Sequence, residues 1–147
     1  MPRLCAPLLF LLAAGLAAAA PDPFAEVVAA PVKTSIYIGS VTLIASPFRR
    51  EGDRFLATYQ AKVFPFFFAD ESGRLIIIVP PADLARIAAR RPIAFAGKAI
   101  RTDGAVRSVQ GTAVPTSSTG GKLAVKIHVT RRITLSFNTT YTLPYSH

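Results

Sequence analysis

The chain has 147 residues, enough for one domain with its own core and too few for two once a leader is set aside. Hydrophobic residues make up 51% of it, with ten phenylalanines and four tyrosines, which excludes a disordered chain. Seventeen basic residues, mostly arginine, against eight acidic ones give a net charge of +9; that balance favours anionic partners and equally serves solubility.

Residues 1–19 read as a secretory signal peptide. Arg3 supplies the amino-terminal positive charge, Leu8 to Ala20 is apolar and uncharged, and Ala17 and Ala19 suit a signal peptidase pocket. A retained membrane anchor is the competing reading. The uncharged stretch from Leu4 to Pro21 contains Pro7 and ends in a second proline, and it is shorter than the about 20 apolar residues of a spanning helix. Cleavage after Ala19 is therefore expected, with the product exported to a periplasmic or extracellular space. Cys5, the sole cysteine, lies inside this leader and too early for lipidation. The mature chain thus has no thiol for a disulfide, a thiolate metal site or a nucleophile.

Residues 20–33, rich in proline and alanine, read as a flexible lead-in, and 34–147 as a single β-rich domain. Ser35 to Ile44 is expected to form a first strand. Ser46-Pro47 and Glu51-Gly52-Asp53 then bracket a basic turn. Phe55, Ala57, Tyr59, Ala61 and Val63 share one face of a second strand, with Thr58, Gln60 and Lys62 on the other. Asp70 to Gly73 reads as a hairpin loop, and Leu75 to Val79 as a third strand with apolar residues on both faces.

The spacing next predicts a short helix over about 82–91. Leu84, Ile87 and Ala88 form its stripe, Asp83 suits its first turn, Arg90 and Arg91 suit its last, and Pro92 stops it. So short a helix must pack on the sheet. Ile93 to Arg101 and Val106 to Val114 form a hairpin around Thr102-Asp103-Gly104, and 115–121 is a polar loop. Two alternating strands follow, Leu123 to Val129 and Ile133 to Leu143. The fold expected is mainly β: about seven antiparallel strands in a small barrel or sandwich, with the helix between the third and fourth strands.

Candidate chemistry is sparse. His128 is the only plausible base, no histidine pair has metal-ligand spacing, and no serine sits in a nucleophile elbow. Asp70 and Glu71 fit turn geometry and solvation. Gly120-Gly121-Lys122 lacks the flanking strand and helix of a phosphate loop, and Asn138-Thr139-Thr140 reads as a chance glycosylation pattern inside a strand. The expectation is a non-enzymatic domain with no catalytic residues, metal or cofactor. An enzyme built on His128 is the weakest alternative.

Two features point to binding. Arg49-Arg50, Arg90-Arg91 and Arg131-Arg132 fall at element ends, where guanidinium groups suit carboxylate or phosphate. Arg49, Arg50, Arg131 and Arg132 share a rim only if the helix carries the chain across the sheet. The plainer role of such pairs is to keep edges soluble. Three consecutive phenylalanines, Phe66, Phe67 and Phe68, follow Pro65. The simpler expectation is burial on both sides beneath the helix; otherwise at least one ring meets a partner. Together these predict an exported binding or envelope-associated module for an anionic surface (lipid headgroup or acidic glycan), an apolar ligand or a protein. An assembly subunit pairing through an edge strand or Phe66–Phe68 is the alternative, and export disfavours nucleic acid. No stretch carries a motif of a characterised family.

Overall fold

The computed structural model describes residues 22–36 and 39–144. The expected signal peptide, residues 1–19, and the question of its cleavage or retention lie outside these residues. The described chain forms ten strand segments: β1 (Glu26–Ala29), β2 (Val32–Ile36), β3 (Gly39–Ala45), β4 (Phe48–Glu51), β5 (Arg54–Phe64), β6 (Glu71–Ile78), β7 (Ile93–Arg101), β8 (Val106–Ser117), β9 (Gly120–His128) and β10 (Thr134–Thr142). One helix, α1 (Pro81–Ala88), joins β6 to β7.

The segments build eight staves. β1 and β2 pair with β4 and β3 in one continuous antiparallel register, from Glu26 opposite Arg49 to Ile36 opposite Gly39. Each later strand pairs with its predecessor, and β1 closes the ring on β10 through Val28–Thr142 and Ala29–Tyr141. The result is a closed antiparallel eight-stranded barrel with no free edge along the ring. The expectation of a mainly β barrel or sandwich with one short helix is met, and closure decides for the barrel. The helix joins the fourth and fifth staves and not the third and fourth strands, because the amino-terminal segments supply an additional stave.

Several strand boundaries differ from expectation; among them, residues 71–73 and most of 115–121, expected as loops, are strand. Residues 26–29 and 32–33, read as flexible lead-in, are strand, because β1 supplies the pairing partner that β10 and β4 otherwise lack. The expected strand Ser35–Ile44 is two strands. The chain reverses between Ile36 and Gly39, where Gly39 has φ +119° and any Cβ would lie 1.9 Å from the Phe64 carbonyl oxygen. Arg49 and Arg50 sit in β4 and not in a turn. Ser46-Pro47 inserts one extra residue opposite β5, since Ala45 faces Tyr59 while Arg49 faces Leu56. The Ser46 hydroxyl accepts the Thr58 N–H at 2.9 Å and so completes the ladder beside the proline.

Alternation sends odd-numbered side chains of β5 to β10 inward. Phe55, Leu75, Ile77, Ile93, Ala99, Val109, Ala113, Ile127, Phe137 and Tyr141 are buried there. Gly111 leaves room for the Phe95 ring, whose edge would lie 2.4 Å from a Cβ at that position. The outward side chains are mainly polar: Lys98, Gln110, Lys122, Lys126 and Asn138 are exposed. That polarity is the inverse of a barrel whose outer wall faces lipid. No helix among the described residues is long and apolar enough to cross a membrane.

Helix α1 starts at Pro81, where a missing N–H costs nothing. It buries Leu84 and Ile87 three residues apart against the barrel. It ends at Ala88, three residues before the expected boundary, because Arg90 turns into the left-handed region at φ +60°. The helix leaves β6 and enters β7 at the same end of the barrel, since these two strands are antiparallel neighbours. The barrel therefore has a helix end and a loop end, the latter ringed by residues 65–70, 102–105 and 129–133.

Candidate functional site

An apolar cavity of about 140 Å³ lies inside the barrel toward the helix end. Phe48, Phe55, Val109, Leu123, Val125 and Phe137 wall it, and Phe24, Leu84 and Ile87 roof it. No charged side chain lines it. The roof is tied down on the amino-terminal side: Asp22 accepts the Phe24 N–H at 2.9 Å and pairs with Arg50 at 2.7 Å. A space of this size and polarity suits about one aromatic ring or a short alkyl chain. Its lining holds no histidine, cysteine or carboxylate, and Thr139 and Tyr141 are its hydroxyl-bearing residues.

The loop end is closed from within by a charged cluster. Glu71 opens β6 in phase with the inward residues, and its Oε1 accepts from Arg107 Nη2 at 2.7 Å and Nε at 2.9 Å. The same oxygen pairs with Arg101 Nε at 2.9 Å. The Tyr59 hydroxyl donates to Glu71 Oε2 at 3.2 Å, and Arg107 Nη1 reaches the Val129 carbonyl at 2.9 Å. Arg101 also meets Asp103 at 3.4 Å. Burial, then the Glu71 charge and the hydrogen bond to it, push the Tyr59 phenol up to about 12, against the pull of Arg107 and Arg101. Burial alone raises Tyr141. With Asp103 included, two carboxylates face two guanidinium groups in this cluster, which fills the loop end of the barrel.

The residues singled out in the sequence divide between the two ends. Arg49 and Arg50 lie on β4 toward the helix end, and Arg131 and Arg132 lie in the β9–β10 turn at the loop end. The helix does not carry the chain across, so one anion site using both pairs is ruled out. Phe66, Phe67 and Phe68 are not buried beneath the helix, which caps the opposite end. They form an exposed loop with one 3-10 turn over Phe67–Ala69, where Phe67 is 70% and Phe68 88% exposed. His128 faces outward on β9, where its Nδ1 lies 3.1 Å from the Thr134 hydroxyl. Among the described residues no group of three histidines, cysteines or carboxylates could hold a metal.

The Glu71–Arg101–Arg107–Tyr59 cluster was missed because Asp70 to Gly73 reads as a hairpin loop. Phase was the available signal. Glu71 continues the Gly73, Leu75, Ile77 series inward, and Arg101 and Arg107 continue those of β7 and β8. No family model matches the chain, and no curated protein or solved structure matches it significantly.

Proposed function

We propose that this chain is an exported, non-enzymatic binding barrel that takes a small apolar molecule into its interior. The cavity carries this reading: about 140 Å³ left open among aromatic and aliphatic walls, where barrel interiors of this size are otherwise filled by side chains. The leader pattern supports export, and the outward placement of His128, away from the cavity, supports a role without catalysis. Contact with apolar walls gives such a ligand its affinity, and the lack of charged lining selects against ionic compounds.

The test uses protein recovered from a host that exports it. Native mass spectrometry under gentle and then denaturing conditions should show a mass excess that disappears on unfolding. Benzene at ten times its dissociation constant should stabilise the ligand-free barrel by about 1.4 kcal/mol, a rise in Tm of roughly 4–7 °C. A bare mass together with no benzene-induced shift refutes the reading.

A further inference from the structure

Among the described residues, eight large apolar side chains are exposed, and six of them stand at the loop end: Phe64, Phe66, Phe67, Phe68, Val106 and Ile133. They come from three separate connections, so the apolar tips ring one end of the barrel. Cations sit beside them. Lys62 precedes Phe64 on the outward face of β5, and Arg131 and Arg132 adjoin Ile133; all three are exposed. The acidic groups of this end are already engaged. Glu71 pairs with Arg101 and Arg107, Asp70 accepts the Val63 N–H at 2.7 Å, and Asp103 meets Arg101 and accepts the Ala105 N–H at 3.0 Å.

We propose that the loop end docks on an anionic lipid bilayer, with the phenylalanine loop entering the interface and the flanking cations meeting headgroup phosphates. The exposure of the rings favours this occupant. Phe67 and Phe68 are 70% and 88% exposed, and a fluid interface accepts such rings where a protein partner could bury them only in a matching pocket. The rings support one another in edge-to-face pairs, Phe64 with Phe67 at 6.3 Å and Phe66 with Phe68 at 5.7 Å between centroids. Each cation brought to an anionic surface contributes about fivefold in affinity, an effect that salt screens. Docking does not depend on an occupied cavity, and vesicle binding is read separately from ligand mass.

The experiment is co-sedimentation of the exported protein with phosphatidylcholine vesicles and with vesicles containing added phosphatidylglycerol. The expected result is binding to the anionic vesicles that falls as salt is raised. F67S/F68S and R131Q/R132Q should each weaken it roughly tenfold or more. R90Q/R91Q, the same charge change at the helix end, should leave it nearly unchanged. Urea midpoints should hold for F67S/F68S, since the rings are exposed. No binding to either vesicle overturns the proposal, as does binding that ignores the phenylalanine pair or that R90Q/R91Q weakens as much. A dimer in light scattering that F67S/F68S dissolves, without vesicle binding, reassigns the patch to self-association and overturns it as well.

Discussion

Replacing Glu71 by glutamine probes the plug at the loop end. Glutamine keeps the size of the side chain and can still accept the Tyr59 hydroxyl, but the negative charge disappears. Two guanidinium groups that share Oε1 within 2.9 Å are then left facing each other. Removing one partner of a fully buried pair costs about 3–5 kcal/mol, and of an exposed pair about 0–1 kcal/mol. The Glu71 side chain is 14% exposed, that of Arg107 18% and that of Arg101 36%, which places the loss between these limits, about 2–3 kcal/mol. For a domain of this size that lowers Tm by roughly 6–15 °C.

The chain has no tryptophan, so urea unfolding should be followed by far-UV circular dichroism, with tyrosine fluorescence as the second probe. Arg107→Gln should be destabilising on its own. The double variant E71Q/R107Q should cost less than the two singles together, with a coupling of about 1 kcal/mol or more. A loss under about 0.5 kcal/mol for Glu71→Gln, or strict additivity, would refute the view of this cluster as a buried, mutually dependent network.

Two further predictions concern single groups. Because the folded state raises the Tyr59 phenol to about 12, that side chain favours folding in full below pH 10, and the contribution is lost as pH climbs toward 12. Urea midpoints should fall across that window and fall less in Tyr59→Phe; an unchanged profile would count against the burial of this hydroxyl beside Glu71. Gly39→Ala combines a left-handed backbone with a Cβ 1.9 Å from the Phe64 carbonyl oxygen, and should cost about 3 kcal/mol or more. An unaltered midpoint would show that the β2–β3 hairpin can move away from β5.

Alternation made β5 and β10 readable in advance. Phe55, Ala57 and Tyr59, then Leu135, Phe137, Thr139 and Tyr141, face inward as their spacing demands, because a strand with one wet face must alternate. The helix was legible from Leu84 and Ile87 between two prolines. The β1 and β4 segments were not. Ala-Pro and Ser-Pro interrupt their pattern, and only pairing with β10 and β5 makes strand the best state for them.

By itself, then, the sequence determined which side chains share a face, where α1 starts, and that residues 6–147 contain no cysteine. These are local properties, set by a period of two or of 3.6 residues and by composition. Tertiary structure alone decided the rest. Ring closure through β1 and β10 created the cavity. The return of the chain by α1 to the end it had left separated Arg49 and Arg50 from Arg131 and Arg132 and put the phenylalanine loop at the far mouth. The union of Glu71 with Arg101 and Arg107 likewise depends on strand register across β6, β7 and β8. Charges 30 and 36 residues away in the chain meet only when the barrel closes, and no local period records that distance.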